Sequence, residues 1–443
     1  MAASENLVEV ARAIVQQAKA KGAHEASATA ARARDVDIEW RDGKLEKITE
    51  STTRGVSVAL YVDGKYSAVA TSDLRPEAVD KFLTDAISLT RALSPDPFRK
   101  LPDPELYAGQ AKLDLQLEDS TYESVTAQAR KARAEQIEAA ARQVKGAEAI
   151  LSVTSSAGDR LFEMGRVHSN GFEGATRSTS FYGGASVSVK DVDGRRPEEG
   201  FFASDRFLAS LPSVSDLGRK ASQRTLDRLG SQKMKSDVLP MVVENRAGAG
   251  LVGRLLGPLA AGALQQKRSF LEGKAGQQVG SALLDLTDDP HVVRGLASRL
   301  FDGEGMASKR MPLFEAGVLR NYYVDTYYGR KLGMKPTTGG GSNLSWKLGD
   351  KDEQALFADV KEGVFVTGFL GGNSNGTTGD FSLGVQGFRI RAGKLAEAVG
   401  EMNIADNHLQ LWKKLVAVGN DPYTYSSMRT PTLVFDGIQF AGT

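Results

Sequence analysis

Cysteine is missing from all 443 residues, which removes disulfides, thiolate metal ligands and a cysteine nucleophile together. Histidine is nearly as scarce. His24, His168, His291 and His408 are the full set, and no two stand close enough in sequence to make a local metal motif. Excess charge of one sign is lacking too: Lys and Arg number 56 against 55 Asp and Glu, a formal net charge of +1. So even a balance gives no global field for nucleic acid or an anionic membrane, though it leaves room for a local patch. No apolar run reaches the roughly 18–20 residues of a membrane span. The opening Met1-Ala-Ala-Ser4-Glu5 has neither the cationic nor the apolar segment of a secretory signal. These absences predict a cytoplasmic protein with no membrane and no nucleic-acid partner.

What is present is the composition of a globular protein, 41% hydrophobic and 25% charged. The length exceeds one ordinary core, so two domains are expected. Leu7, Val10, Ala11, Ile14, Val15 and Ala18 share one helical face and predict a helix over 5–21, with Ser4 as N-cap and Gly22 as its stop. The β-branched run 55–62, the turn Asp63-Gly64 and the return 65–70 predict a hairpin. Helices are expected over 76–93, 120–144 and 215–229, and strands over 149–155, 160–167 and 176–190. Prolines 95, 97, 102 and 104 make the stretch between the first two of those helices an extended connector. The polar segment 231–237 marks the boundary between domains 1–235 and 236–443. Beyond it, one helical stretch over 249–266 gives way to short strands and Gly-rich turns, the pattern of a closed or strongly curved β-domain.

Candidate sites are few. His168 stands beside the turn Asn170-Gly171 and reads as a hydrogen-bonding turn residue. His291, after Asp288-Asp289-Pro290, reads as part of a solvated loop, and His408, after Asp406-Asn407, as a helix cap. Ser269 beside Lys267-Arg268 and Ser308 beside Lys309-Arg310 lack the Ser-x-x-Lys spacing of a serine–lysine catalyst. Gly339-Gly340-Gly341-Ser-Asn lacks the Lys-Ser/Thr of a phosphate loop. With Gly371-Gly372 it instead suits close approach of a partner backbone. Alternation over the run from Tyr322 to Tyr328 places Tyr323 and Tyr327 on one strand face, with Arg330 just beyond. Tyr and Arg together are candidates for a peptide or partner contact.

Several stretches in order resemble the TldD/TldE (PmbA) metallopeptidase family: Gly317 to Met334 with the Thr/Gly-rich loop after it, Asp380-Phe-Ser-Leu-Gly384 with Gly387-Phe388, Asp96-Pro97 with Leu101-Pro102, Asn170-Gly171, and Ser269-Phe-Leu271. The resemblance implies an α+β protein, with an N-terminal α/β domain built on a long curved antiparallel sheet and a β-rich, barrel-like C-terminal domain. It also implies two kinds of subunit. The TldD type holds zinc through a His-Glu-x-x-x-His helix and a later cysteine and cleaves unfolded peptides; the TldE type pairs with it and lacks those ligands. Here Arg254, Leu255 and Leu259 stand where the first His, the Glu and the second His would be. A guanidinium and two isobutyl groups offer no ligand or general base, and Pro258 is expected to spoil the helix. The implied role is a TldE-like non-catalytic subunit with no cofactor of its own, handling unfolded peptide beside a TldD-like zinc-bearing partner in a heterodimer. The alternatives are a regulator of DNA gyrase, after the family's older label, and a homodimeric hydrolase with a non-metal mechanism.

Overall fold

The computed structural model describes residues 6–192 and 194–443. Ser4 and Glu5, the expected start of the first helix, lie outside the described residues. Helix α1 (Leu7–Ala20) is capped by Asn6, whose side chain accepts from the Val8 amide at 3.1 Å. The N-terminal half then runs β1 (Glu25–Arg41), β2 (Lys44–Val62), β3 (Lys65–Thr71), α2 (Pro76–Arg91), α3 (Ala127–Arg142), β4 (Ile150–His168), β5 (Glu173–Val189), β6 (Glu198–Asp205) and α4 (Val214–Leu226). Its six strands form one antiparallel sheet in the order β3-β2-β1-β4-β5-β6. On β1, Ala26, Ala28 and Ala30 are covered by Ile14, Val15, Val79 and Leu83 of α1 and α2. Further along the strand, Ile38 and Trp40 meet Ala134 of α3. The helices therefore cover one face of the sheet.

The two expected strands 149–155 and 160–167 are one strand, β4. Gly158 does not interrupt it: the Tyr182 ring crosses there, 2.5 Å from where a Cβ would lie. The expected helix 120–144 begins only at Ala127, because Thr126 caps it through the Ala129 amide at 3.1 Å. Arg130 of α3 makes a buried ion pair with Asp159 of β4.

The C-terminal half contains β7 (Asp237–Val243), α5 (Asn245–Leu259), α6 (Ala261–Gln265), β8 (Leu286–Asp289), β9 (Met311–Glu315), β10 (Val318–Leu319), α7 (Thr326–Leu332), β11 (Asn343–Trp346), α8 (Glu353–Val360), β12 (Gly363–Ser374), β13 (Asp380–Arg391), β14 (Lys394–Asn407), α9 (His408–Leu411), β15 (Leu415–Val418), β16 (Met428–Arg429) and β17 (Leu433–Ala441). Strands β14-β13-β12-β7-β17 close into a five-stranded barrel through β14–β17 pairing, with β15 added on β17. A second sheet has the order β10-β9-β8-β11-β16. The chain is an α+β protein, as expected. The single helical stretch expected over 249–266 is two helices, broken where Ala260 adopts an extended backbone. Pro258 sits one residue from the end of α5 and leaves the helix before it intact.

The halves meet across an ion cluster. Arg224 of α4 donates to both carboxylate oxygens of Glu244, just after β7, at 2.5 and 2.9 Å. Glu199 of β6 accepts from Gln386 of β13 at 2.9 Å and lies 3.5 Å from Arg246 of α5. Glu353, at the start of α8, is pushed up to about 7, chiefly by burial and then by the charges of Glu244 and Asp421. Its folded value lies above the ordinary 4.5, so ionising it opposes folding: the cost is absent below about pH 4.5 and complete above pH 7. Glu353→Gln is therefore expected to stabilise the protein by about 2 kcal/mol at pH 8, with the gain vanishing toward pH 4.5. Urea unfolding at the two pH values checks this.

Candidate functional site

Helix α5 leaves the barrel directly from β7 and packs back over it. Leu255 and Leu259 are 2% and 0% exposed, within a core that includes Leu251, Leu264, Tyr323 and Leu383. Arg254 is half-buried and bonds the Gly250 carbonyl of its own helix. Burial holds its guanidinium below the usual arginine range. These residues do not fit a metal: two present only hydrocarbon, and the third is a cation that cannot ligate one. Among the described residues no group of three or more His, Asp or Glu side chains is arranged around a possible ion position.

The one imidazole near this region belongs to His408. Its charge environment includes Arg254. It is 0% exposed, 5.5 Å from the Phe270 ring and 4.8 Å from that of Phe381, centroid to centroid. Nε2 lies 2.9 Å from Ser374 Oγ, and Nδ1 has no hydrogen-bond partner among the described residues. His408 is not the cap expected from the sequence. Asn407 caps α9 by accepting from the Leu409 amide at 3.0 Å, and the imidazole turns inward. Burial, then Arg254, lowers His408 to about 4. His168 closes its turn by accepting from the Gly171 amide at 3.2 Å, and its Nδ1 lies 3.0 Å from the Tyr107 hydroxyl. Burial, then Arg166, brings it to about 3. Asp288 and Asp289, read as a solvated loop before His291, lie on β8. Asp288 is buried, accepting from Tyr323 Oη and the Ser342 amide, each at 2.7 Å.

The tyrosine run is also rearranged. Asp325 caps a helix by accepting from the Tyr328 amide at 2.6 Å, and Gly333 ends it at φ +65°. Tyr327 and Arg330 thus lie on α7, and Tyr323 does not share a strand face with them. Tyr323 is buried, its hydroxyl held by Asp288, and presents no surface to a partner. Tyr327 donates to Asp96 at 2.8 Å, while the Arg99 guanidinium lies 3.5 Å from the Tyr327 ring centroid. Arg330 donates to the carbonyls of Phe98, Lys100 and Leu101 at 3.2, 2.9 and 2.6 Å. The pair therefore grips the proline-rich connector.

Gly339, Gly340 and Gly341 lie beside this helix. Arg299 binds the carbonyls of Gly340 and Gly341, and a Cβ on Gly341 would stand 3.1 Å from Tyr323 Oη. Gly371 and Gly372 are elsewhere, on β12, at positive φ where the β12–β13 register shifts. A Cβ on Gly372 would lie 2.1 Å from the Ser382 carbonyl oxygen, so its glycine is required by the barrel itself. The connector's Asp96 and Arg99 were not singled out from sequence as a site, although Asp96-Pro97 carried part of the resemblance.

A long helix-covered antiparallel sheet joined to a closed five-stranded barrel defines an α+β architecture, and sequence comparison places the chain in a family described as metallopeptidases. The descriptions PmbA/TldA metallopeptidase domain 1, central domain and C-terminal domain match residues 28–90, 120–229 and 236–442. The chain belongs to the PmbA/TldD metallopeptidase family. It is 28% identical to the metalloprotease PmbA of Escherichia coli O157:H7 over 92% of this chain and 90% of that one. A crystal structure described as a putative modulator of DNA gyrase, from Bacteroides thetaiotaomicron, matches with a TM-score of 0.96 and 37% identity, covering 100% of both chains. TldE from Thermococcus kodakarensis shares the fold at a TM-score of 0.85 and 19% identity, over 98% of this chain and 100% of its own.

Leu255→Ala and Leu259→Ala are each expected to destabilise the protein by about 2–5 kcal/mol, the range for buried leucines, as read by urea unfolding. A separate expectation concerns acid. Both lowered imidazoles titrate below the ordinary 6.5, so the stability they contribute is complete above pH 6.5 and is lost as pH falls through their folded values. Each adds up to about 1.4 kcal/mol per pH unit. The melting temperature should fall between pH 6.5 and 4.5, and less steeply in His408→Asn.

Proposed function

We propose that this chain is the non-catalytic, substrate-handling subunit of a heterodimeric zinc peptidase of TldD/TldE type, acting on unfolded peptides in the cytoplasm. What carries this reading is helix α5, where Leu255 and Leu259 are buried hydrocarbon and Arg254 bonds its own helix at the positions where the resemblance would put a base and two ligands. Zinc then belongs to a TldD-like partner, and this chain completes the chamber around the partner's site. A binding contribution from this chain fits its open sheet edge. Strand β3 covers β2 only over Val56–Val62, leaving the outer side of β2 over 44–55 unpaired by any described strand. An extended chain can add there through main-chain hydrogen bonds, with little demand on its sequence. Among the described residues no helix is long and apolar enough to cross a membrane. No observation favours a nucleic-acid role, and the net charge of +1 counts against one.

Titrating this chain against a TldD-type chain while following cleavage of an unfolded peptide tests the reading. Activity should saturate near equal amounts of the two chains, with zinc in the partner alone. One tightly held zinc in this chain, with chelator-sensitive cleavage by it alone, would overturn the proposal, as would a partner fully active without it.

A further inference from the structure

The second sheet borders a groove of about 700 Å³ that lies apart from α5 and from the open edge of β2. Its walls are the segments 306–312, 320–324 and 334–338. The floor is aliphatic and thioether: Met306 and Met311 are buried there, and Met334 and Pro336 close one side half-buried. Tyr322 also lines it, but the ring is buried and its hydroxyl donates away, to the Leu271 carbonyl at 2.5 Å. Methionines adapt to irregular apolar partners, which suits a site that accepts more than one side chain.

The rim is cationic. Lys309, Arg310, Arg320 and Lys335 stand around the opening, all exposed, against a single lining carboxylate, Glu105. Glu315 bonds Arg320 at 2.8 Å, and Asp289 approaches Arg310 no closer than 3.6 Å, with that arginine's side chain 70% exposed. Lys309 and Lys335 make no ion pair among the described residues. In a chain whose Lys and Arg number 56 against 55 Asp and Glu, this is a concentrated local excess. It surrounds an apolar floor with no exposed aromatic face on which a nucleic-acid base could stack.

We infer that this groove is a binding site for an extended peptide segment whose large apolar side chains are flanked by Asp or Glu. The apolar side chains rest against the half-buried Met334 and Pro336, over a floor in which Met306 and Met311 are buried, and the carboxylates meet Lys309 and Lys335 at the rim. The inference rests on the peptide-handling reading but adds a selection that a strand edge does not supply. Backbone pairing is tolerant of sequence, whereas this groove distinguishes acidic–apolar segments from basic or neutral ones.

The test uses the isolated full chain and a fluorescein-labelled unstructured peptide in which Leu and Met alternate with Asp and Glu, followed by anisotropy. The expected result is saturable binding that weakens with salt. It should also weaken about tenfold in Lys309→Glu/Lys335→Glu, as two lost and reversed rim pairs would give. An analogue with Asn and Gln in place of the acids should bind at least as weakly. Lys145→Glu, an exposed reversal just after α3 and away from both the groove and the β2 edge, should bind like the parent. Absence of binding overturns the inference. So does equal affinity for the amide analogue, equal affinity of the double reversal, or displacement of the peptide by a single-stranded oligonucleotide at matched charge. Failure here with one-to-one activation of a TldD-type chain intact removes the groove alone. Peptide binding without activation removes the subunit reading alone.

Discussion

Strand β7 lies between β12 on one side and β17 on the other, and that double pairing fixes the geometry of the C-terminal half and its junction with the N-terminal one. Met241, Val242 and Val243 pair in parallel with 364–366 and antiparallel with 433–435, so no main-chain group of this segment is free to shift. Barrel closure through β14 and β17 removes the remaining edge on that side. The chain then leaves the barrel at a fixed point: the Glu244 amide donates to the Val366 carbonyl at 3.0 Å, and α5 begins at the next residue. Because Glu244 also receives Arg224 from the N-terminal half, one short strand sets the place of α5 and the seating of the two halves.

Much of this was legible in the sequence, for physical reasons. The amphipathic stripe of α1 has a period that only a helix satisfies, and the hairpin of β2 and β3 carries its own turn at Asp63-Gly64. The curved β-domain announced itself through glycines at turns. Strand β1 was missed because its inward residues begin with Ala26, Ala28, Ala30 and Ala33, set mostly between serine, threonine and arginine, an alternation too weak in hydrophobicity to read. The two expected strands over 149–155 and 160–167 are one, and the glycine between them, Gly158, makes room for the ring of Tyr182 more than 20 residues away. The same limit applies to the tyrosine run. Strand alternation and a short helix share Tyr-Tyr-Val-Asp-Thr-Tyr-Tyr, and the deciding features were the cap at Asp325 and the stop at Gly333.

Of the candidate site, the residue types at 254, 255 and 259 could be read directly, since they do not depend on the fold. Placement was not. Tyr323, Tyr327 and Arg330 looked like one surface, yet the fold sends Tyr323 into the core and turns Tyr327 and Arg330 onto the connector. These two hold the connector through three of its carbonyls, its Asp96 carboxylate and its Arg99 guanidinium, in a segment whose prolines leave few amide donors of its own. Residues suited to a partner contact are equally suited to an internal joint, because both need planar donors and broad apolar faces. Only the three-dimensional neighbours separate the two.

Helix α5 carries Arg254, Leu255 and Leu259 at the positions where the family resemblance leads one to expect ligands and a base. An open metal site needs polar groups aimed at a space that water can enter, whereas Leu255 and Leu259 fill that direction with close-packed hydrocarbon. His408, the remaining imidazole nearby, is enclosed by two phenylalanine rings and held neutral by burial. A buried neutral imidazole with one serine partner is a cohesive packing unit, and enclosure keeps it from exchanging ligands with solvent. The helix thereby serves stability, and on the proposed reading peptide is bound where the surface is open and charged. Along this chain those places are the outer edge of β2 and the cationic groove beside the second sheet. The first offers backbone and the second offers side-chain selection, so the two make different demands on the same extended ligand.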